Sequence, residues 1–328
     1  MKVLVTGGAG YIGSTLVRLL LERGYDVVVL DRLFFGREPL ADVEDQVRIV
    51  EDDIRRFDPR ILEGVDAVLD LAALPNDPTC ELDPETAMDI NYKGRVRVAK
   101  LAKKKGVSRY VLASTCSVYG FQPGILDENS SVKPLTVYAR ASYLAEMEIL
   151  PLADRRFVAT ALRQATVYGL SYRMRFDLAV NGMVKALFKT GVIRIMRDGR
   201  QWRPFVHVKD TSRAFISVLE AEPELVNGQV FNVGSDEQNV QIFELAEMVS
   251  KACGQEFRYE WYGSPDRRSY RVSFKKIREL LNYRPHYTIE EGAREVWEAL
   301  VEGRIDPDDP RTITVKWYKR LLEAGVKL

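Results

Sequence analysis

The feature that most constrains the fold of this chain is a glycine-rich segment, VTGGAGYIGS, near its beginning. An apolar run, KVLVTG, precedes the glycines, and a helical pattern of apolar residues follows from Tyr11 to Arg23. Gly7, Gly10 and Gly13 occur at every third position. Glycines let the backbone turn tightly and approach a pyrophosphate closely, and the helix that follows offers free N–H groups and the positive end of its dipole. The segment predicts a strand, a tight turn and a helix that together bind a dinucleotide.

The same alternation of strand and helix patterns continues along the first half of the chain. Apolar runs such as DVVVLD, DAVLDLAA, RYVLAST and FVATALR alternate with helical patterns at about 84–105 and from about Val137. Strands that are apolar throughout are buried on both faces, and helical crossovers join them. The pattern therefore predicts an α/β fold with a doubly wound parallel sheet, the Rossmann arrangement.

The pattern changes after Tyr168. Residues 169–205 are rich in Arg, Met and Phe. The alternation of strand and helix patterns returns at 206–235, and residues 236–328 show helical patterns with short strands between them. We therefore predict a dinucleotide-binding domain formed by residues 1–168 plus about 206–235. A smaller, interleaved substrate-binding domain is predicted to comprise residues 169–205 plus 236–328.

An acidic residue after the second strand indicates which dinucleotide is bound. Asp31 ends the run DVVVLD, 21 positions after Gly10. Its carboxylate would accept hydrogen bonds from the ribose 2′- and 3′-hydroxyls and would repel a 2′-phosphate. Arg32, the next residue, could instead pair with such a phosphate. We expect NAD to be preferred over NADP.

Composition excludes several other classes of protein. The formal net charge is +1, and basic runs such as Lys103–Lys105 are short, so we expect no nucleic-acid surface. Cys80, Cys116 and Cys253 are scattered, without a CxxC pair, and the two histidines are isolated, so we predict no metal site. No apolar stretch reaches about 18 residues, and no signal peptide is recognisable. We expect a cytoplasmic protein in a reducing compartment, without a membrane partner.

Further short motifs follow in a recognisable order. They read DDI at 52–54, LAA at 71–73, NYKG at 91–94, STCSVYG at 114–120, PLTVYA at 134–139, LRQATVYG at 162–169, RPFVHVKD at 203–210 and FNVGS at 231–235. In this order and at about this spacing, the chain resembles the extended short-chain dehydrogenase/reductase family, the NAD-dependent sugar-nucleotide epimerases and dehydratases of the UDP-glucose 4-epimerase type. The resemblance implies an enzyme that binds NAD and a nucleoside-diphosphate sugar, and a homodimer formed through the helices at about 84–105 and 137–150.

The resemblance also assigns residues to the two ligands. Around NAD it places Gly7, Gly10, Tyr11, Ile12, Gly13, Asp31, Arg32, Asp53, Ile54, Leu71, Ala72, Ala73, Asn91 and Tyr138. Asp53 and Ile54 would contact the adenine, and Leu71 to Ala73 would line the nicotinamide half with Asn91 nearby. Around the substrate it places Cys116, Ser117, Asn181, Arg203 and Arg268, with Asn181 and Arg203 near the diphosphate.

The resemblance makes Tyr138 the catalytic base and Thr115 the hydroxyl that orients the substrate. Ser142 stands one helical turn after Tyr138, where the family keeps a lysine. A phenol has an ordinary pKa of about 10 and must become more acidic to act as a base near neutrality. A serine offers a hydrogen bond but no charge. Either the catalyst receives help from elsewhere, or the protein is a weak or inactive member, or the serine was introduced to trap a complex. We expect Ser142→Lys to increase turnover.

The two residues after Thr115 bear on the type of reaction. Many dehydratases of the family carry Asp-Glu there, to move a proton at C5 and eliminate at C6, whereas this chain has Cys116 and Ser117. Some 3,5-epimerases of the family use a cysteine at the position of Ser117, whereas Cys116 comes one residue earlier, so we interpret it as a small packing or substrate-contact residue. We therefore predict an NAD-dependent epimerase that acts through a transient 4-keto sugar. The alternatives are a 4-keto-sugar reductase or another sugar-nucleotide oxidoreductase, and a nucleotide-sugar-binding homologue with weakened catalysis.

Overall fold

The computed structural model describes residues 1–265 and 268–328. Its strands are β1 Lys2–Thr6, β2 Asp26–Asp31, β3 Val47–Glu51, β4 Ala67–Asp70, β5 Arg109–Thr115, β6 Ile125–Leu126, β7 Val158–Gln164, β8 Thr166–Tyr168, β9 Ile193–Met196, β10 Trp202–His207, β11 Val230–Val233, β12 Asn239–Gln241, β13 Tyr259–Tyr262 and β14 Arg271–Val272. Its helices are α1 Tyr11–Glu22, α2 Asp77–Cys80, α3 Pro84–Met88, α4 Arg95–Lys104, α5 Val137–Ile149, α6 Ala179–Thr190, α7 Val208–Glu220, α8 Pro223–Val226, α9 Ile242–Ala252, α10 Lys275–Leu281, α11 Ile289–Val301 and α12 Thr314–Glu323.

A seven-stranded sheet in the order β11-β7-β5-β4-β1-β2-β3 forms the centre of the molecule. All its neighbouring strands are parallel. Val3, Leu4 and Val5 of β1 are completely buried, as expected for a strand covered on both faces. The predicted doubly wound parallel sheet is confirmed.

The strand order reverses at β1, which lies between β2 and β4. Thr6, the last residue of β1, is opposite Leu30 and Asp70, so the three strands end at the same edge of the sheet. In open α/β sheets, ligands bind beyond the carboxyl ends of the strands where the order reverses. The glycine-rich turn, which follows β1, begins at this edge.

Helices cover both faces of the sheet. On one face α1 packs against α7, and on the other α4 packs against α5. The helix predicted at about 84–105 is continuous from α3 into α4 through a π-helical turn, Asp89–Gly94. This wider turn precedes Arg95 directly, and such turns occur frequently at functional sites.

A second layer lies over the carboxyl edge of the sheet. It contains the three-stranded sheet β12-β10-β8, the pair β13-β9 and the helices α6, α9 and α11, which pack on one another around a separate apolar cluster. The segments that form it alternate along the chain with segments of the main sheet. The domain boundaries predicted from the sequence stay a prediction. Among the described residues, no helix has the length and apolar character needed to cross a membrane.

Candidate active site

The glycine-rich turn closely approaches both the neighbouring strand and itself. Gly7 has a φ of +69°, and a Cβ there would lie 2.9 Å from the backbone nitrogen of Ala72. At Gly13 a Cβ would lie 2.2 Å from the carbonyl oxygen of Gly7. No side chain caps the first turn of α1, so its N–H groups remain available to a phosphate. The turn has the geometry of a pyrophosphate site that side chains would fill.

A cavity of about 310 Å³ extends from this turn along the carboxyl ends of the central strands. Its walls include almost all the residues that the sequence assigned to the cofactor: Gly7, Gly10, Tyr11, Ile12, Gly13, Asp31, Arg32, Asp53, Ile54, Leu71, Ala72, Ala73 and Tyr138. The exception is Asn91. We call this space the cofactor cavity, because a glycine turn, an uncapped helix start and an acidic strand end are the groups that a dinucleotide needs.

Asp31 ends β2 inside the cofactor cavity. Its carboxylate accepts hydrogen bonds from the backbone N–H groups of Ala9 (3.0 Å) and Leu33 (2.8 Å), which fix its orientation. Burial raises the pKa of Asp31, and the two backbone donors oppose that shift. The carboxylate is therefore held in place to accept hydrogen bonds from the two hydroxyls of a ribose.

The charge of Arg32 is already engaged by the protein. Its Nη1 donates to Asp53 at 2.7 Å, and its Nη2 donates to the carbonyl oxygen of Lys327 at 3.0 Å. Arg55 donates to the same carboxylate at 2.7 Å. Burial opposes ionisation of Asp53, but the two guanidinium groups outweigh it and lower its pKa to about 2. A 2′-phosphate would have to compete with this cluster for Arg32.

Thr115 and Tyr138 meet at the inner end of the cofactor cavity. Thr115 is the last residue of β5, and Tyr138 lies in the first turn of α5. Thr136 caps this helix by accepting a hydrogen bond from the backbone N–H of Ala139 at 3.2 Å, which fixes the start of α5. Burial raises the pKa of Tyr138 to about 12, against the opposing effects of Arg95 and the Thr115 hydroxyl. The phenol lines the cavity, but the surrounding protein alone favours its protonated form.

The side chain of Ser142 does not reach the cofactor cavity. Its side chain is buried, and it is not among the residues that line the cofactor cavity. Its hydroxyl donates to the backbone carbonyl of Tyr138, one turn back on α5, at 3.0 Å. This local bond uses the serine hydroxyl within the helix, so the position contributes neither a charge nor a donor to the cavity.

Arg95 lines the cavity that Ser142 does not reach. Its Nη2 donates to the carbonyl oxygens of Asp70 and Ala113, both at 2.7 Å, and its Nε lies 3.3 Å from the Asp70 carboxylate. The guanidinium group thus joins the ends of β4 and β5. We did not predict this residue, because the motif NYKG ends one position before it and a single arginine at a helix start gives no sequence signal.

A second cavity, also of about 310 Å³, adjoins the first. The two share Asp77, Ser117, Thr166 and Tyr270 among their lining residues, and we call the second one the substrate cavity. Its outer walls carry Arg203, Arg268 and the start of α6 at Leu178 and Ala179. Arg268 forms an ion pair with Asp77, and no side chain caps α6. With Arg175, the cavity therefore combines three guanidinium groups with the open N-terminus of a helix.

Besides Ser142, three of the residues assigned from the sequence lie away from both cavities. Asn181 is completely buried; its amide donates to the phenol of Tyr11 at 3.1 Å and accepts from the Gly169 N–H at 2.9 Å. Asn91 bonds both backbone groups of Leu74, at 2.8 and 2.9 Å. Neither amide reaches the cavities, since Asn181 bonds the Tyr11 phenol and backbone groups and Asn91 bonds the backbone of Leu74, so the structure supports neither assignment.

Cys116 is the third such residue. It is completely buried, and its thiol donates to the carbonyl oxygen of Arg163 at 3.1 Å. Burial raises the pKa of this thiol well above its usual range. Ser117, by contrast, lines both cavities. Cys116 is therefore a packing residue, and the substrate contact predicted for this pair is possible only at Ser117.

Two further arginines at the site were not predicted. Arg173 is buried beside the cofactor cavity, with its guanidinium carbon 3.6 Å from the centre of the Phe35 ring. Its Nε has no hydrogen-bond partner within residues 1–265 and 268–328, and burial lowers its pKa to about 9. Arg175 donates to Asp177 at 3.0 and 2.8 Å, and both line the substrate cavity. The sequence showed only that this segment is rich in arginine, without a period that separates buried from exposed positions.

Comparison with known proteins identifies relatives of this chain. The model of the NAD dependent epimerase/dehydratase family matches residues 3–234. A UDP-glucose 4-epimerase of Mycolicibacterium smegmatis is 31% identical over 307 residues, which cover 89% of this chain and 96% of that protein.

Solved structures give the same picture. A UDP-glucuronic acid 4-epimerase from Bacillus cereus, in complex with UDP-glucuronic acid and NAD, is 26% identical with a TM-score of 0.82, and the match covers 92% of this chain and 99% of that chain. DesIV from Streptomyces venezuelae, a dTDP-glucose 4,6-dehydratase with NAD bound, is 27% identical with a TM-score of 0.81, covering 94% and 99%. The similar proteins thus include enzymes with more than one reaction type.

Proposed function

This chain belongs to the NAD dependent epimerase/dehydratase family, and from that premise we propose that it is a 4-epimerase of a nucleoside-diphosphate sugar. Membership confirms two predictions, namely that the protein is an enzyme and that its cofactor is NAD. The choice of epimerisation within the family is supported by one observation above all. Tyr138 and Thr115 line the cofactor cavity, Ser117 lines both cavities, and neither Cys116 nor Ser117 carries a carboxyl group.

The substrate cavity suits a nucleoside-diphosphate sugar. Arg203 and Arg268 can donate charge-assisted hydrogen bonds to a diphosphate, and the uncapped start of α6 adds backbone N–H groups to the same wall. The sugar would then extend past Ser117 and Thr166 towards Tyr138. In this arrangement the diphosphate contacts the backbone of the first turn of α6. The side chain of Asn181, which was predicted to make this contact, lies in the same helix but does not take part.

NAD, held by the glycine-rich turn and Asp31, would supply the acceptor for a hydride from C4 of the sugar and its donor to the opposite face of that carbon. The chain itself handles the proton. The Tyr138 phenolate takes the proton of the sugar 4-hydroxyl, while the Thr115 hydroxyl orients that oxygen. The 4-keto sugar would rotate in the cavity to present its other face, and Tyr138 would give the proton back to the carbonyl oxygen.

Dehydration would require a group that gives a proton to the departing hydroxyl at C6. The two carboxyl groups of the substrate cavity within the described ranges, Asp77 and Asp177, are each paired with an arginine. Although burial alone would raise it, the pKa of Asp177 is lowered by Arg175, so this carboxyl stays ionised near neutrality. Cys116 is buried and turned away from the cavity. An epimerase needs only the Tyr138–Thr115 pair, so the site supports epimerisation better than elimination.

The proposal can be tested by incubating the purified protein, with its bound cofactor, with a panel of UDP- and dTDP-sugars and separating the epimers by chromatography. We expect conversion in both directions without added cofactor turnover, and loss of activity in Tyr138→Phe. Stoichiometric consumption of reduced cofactor with a 4-keto sugar would instead identify a reductase. Binding of a nucleotide sugar without any conversion across the pH range would identify the weakened homologue and would contradict our proposal.

A further inference from the structure

Tyr138 has no cation on its own helix at the position where it needs one. Ser142 lies one turn further along α5, but its hydroxyl is bonded to the Tyr138 carbonyl and does not line the cofactor cavity. A neutral phenol buried in protein is a poor base near neutrality, because burial disfavours its charged form. If this protein turns over, a positive charge from another part of the fold would add to that of the oxidised nicotinamide in favouring the phenolate.

We propose that Arg95, across the cavity on α4, supplies the positive charge that activates Tyr138 in place of a lysine at position 142. Arg95 is then a positioning residue, since it acts through Tyr138 and not on the substrate. The inference rests on the proposed function, because a base is needed only if the site oxidises a hydroxyl. Its own evidence is the placement of the guanidinium group, its fixed orientation and its charge relation to the phenol.

The placement of Arg95 follows from the π-helical turn Asp89–Gly94. Gly94 ends this turn, and a Cβ there would lie 3.1 Å from the side chain of Ile54 and from the Asp89 carbonyl oxygen, so the helix packs closely at this point. Arg95 then begins α4 with its side chain directed between the ends of β4 and β5. Leu71, directly after β4, and Thr115, the last residue of β5, both line the cavity.

The orientation of the guanidinium group is fixed by three hydrogen-bonding interactions. Nη2 donates to the carbonyl oxygens of Asp70 and Ala113, and Nε donates to the Asp70 carboxylate. Asp70 is itself held by the hydroxyl of Thr6, at 2.5 Å, and by the phenol of Tyr110. Nη1 forms no hydrogen bond with any residue that the structure describes. The charge is therefore held rigidly, with one amino group left for the cavity.

Groups from α2, α4 and β5 determine the charge environment of Tyr138. Cys80 and Asp77, both in α2, disfavour the phenolate, whereas Arg95 and the Thr115 hydroxyl favour it. Arg175 also interacts with the phenol, but it is engaged by two hydrogen bonds with the Asp177 carboxylate. Arg95 Nε lies at a longer distance, 3.3 Å, from the Asp70 carboxylate. That carboxylate also accepts hydrogen bonds from Thr6 and Tyr110. Arg95 therefore remains the cation that most effectively offsets the burial of the phenol.

The experiment compares the pH dependence of turnover in the wild-type protein, Arg95→Gln, Arg95→Lys and the double variant Arg95→Gln/Ser142→Lys. Each unit by which the pKa of the base rises lowers its ionised fraction at neutral pH about tenfold. We expect Arg95→Gln to lose roughly tenfold or more at neutral pH and to move the alkaline rise of its profile upward by about one pH unit. Arg95→Lys keeps the charge and should stay near wild type, and Ser142→Lys should restore the neutral rate of Arg95→Gln.

Arg97→Gln is the matched control. Arg97 lies two residues further along α4, over the ring of Phe57, and is not part of the cofactor cavity wall. It should leave the pH profile unchanged. Because Arg95→Gln leaves the Asp70 charge unpaired and could fail to fold, Arg95→Gln/Asp70→Asn removes both charges together. Loss of the Asp70 charge favours the phenolate, so the profile should still move to higher pH, but by less than in Arg95→Gln.

A second readout does not depend on turnover. Ultraviolet difference absorbance of the NAD complex, with Tyr138→Phe as the subtracted reference, reports ionisation of this one phenol among the tyrosines. We expect the Tyr138 titration to move to higher pH in Arg95→Gln and to return in the double variant with Ser142→Lys. An unchanged titration, or an equal loss of rate at every pH, would overturn the role of Arg95 and leave it as a structural residue. If no nucleotide sugar is epimerised, the proposed function fails, while the titration still decides the role of Arg95.

Discussion

Arg32 and Asp53 form a partly buried ion pair of 2.7 Å, and this pair holds the guanidinium group at the outer edge of the cofactor cavity. Sequence alone left two readings of Arg32, as a bystander or as a partner for a 2′-phosphate. Because its second amino group donates to the carbonyl of Lys327, the residue is engaged on both sides. The acidic end of β2, Asp31, then determines which dinucleotide fits.

We therefore expect NAD to bind more tightly than NADP, by roughly tenfold or more, because a phosphate and a carboxylate at close range repel by several kcal/mol even when partly screened. Calorimetry with both cofactors measures the difference. Asp31→Asn removes the repulsion and should narrow the preference mainly through better NADP binding. Equal affinity in the wild-type protein would mean that Arg32 leaves Asp53 for the phosphate.

The same ion pair gives a pH dependence of stability. Asp53 has its pKa lowered to about 2, so its contribution is fully present above the pKa of about 3.9 of an unfolded aspartate and is lost as the pH falls through about 2. The contribution is on the order of 2 kcal/mol at most. Urea unfolding at neutral pH and near pH 3 should show a smaller acid-dependent loss for Asp53→Asn than for the wild type. Identical losses would show that Asp53 is not stabilised by its arginines.

Arg173 should bind the cofactor, because it is a buried cation beside the cavity with an unused Nε donor among the described residues. Hydrogen bonds to charged groups contribute about 1.5–3 kcal/mol. Arg173→Met should therefore weaken NAD binding roughly tenfold or more, measured by calorimetry. The cofactor-free protein should be unchanged or more stable, since an incompletely satisfied buried charge has been removed. Arg304→Met, at an exposed ion pair, is the control. Loss of stability with unchanged NAD affinity would assign Arg173 to packing.

Arg203 should act on the other ligand. It lines the substrate cavity and not the cofactor cavity, so Arg203→Ala should weaken nucleotide-sugar binding about tenfold or more and leave NAD binding nearly unchanged. Arg200→Ala, three residues earlier on an exposed side chain, provides the comparison. Titration of each variant with UDP-glucose and with NAD gives the two affinities. A parallel loss of both would indicate that Arg203 supports the fold and not the diphosphate.

The parts of the site that depend on local motifs were predictable. Gly7 and Gly13 are required by the path of the backbone, and Asp31 by its place at a strand end, so a short stretch of sequence is enough to locate them. Thr115 and Tyr138 could be paired only through the family resemblance, and the structure brings both to the cofactor cavity.

The direction of polar side chains on helices was not predictable in the same way. The sequence assigned Asn91 and Asn181 to the ligands, yet their amides bond backbone groups behind the cavity walls. Arg95 and Arg173 reach the cofactor cavity from positions without a motif. Whether such a side chain faces a cavity depends on how its segment is rotated relative to strands that are distant in the chain. Hydrophobic periodicity reports which face of a helix is buried, but not which buried polar group faces a cavity.

The last prediction concerns Ser142 itself. Because burial raises the pKa of Tyr138 to about 12 in the protein without its ligands, turnover of the wild type should increase from neutral towards alkaline pH. In Ser142→Lys, the ammonium group would stand one turn from the phenol and favour the phenolate, so the rise should begin at lower pH.

The size of this gain depends on the charge that is already present. With Arg95 in place, a second cation adds to a phenol that is already partly activated, so we expect the neutral rate to rise only by about threefold or less, with a correspondingly small shift of the profile. Ser142→Ala removes the bond to the Tyr138 carbonyl without adding charge and should leave the profile where it is. The measurement is the pH–rate profile of the three proteins on the same nucleotide sugar. A gain of a hundredfold in Ser142→Lys would mean that Tyr138 lacks a cation in the natural protein, and no gain in any background would remove Tyr138 as the base.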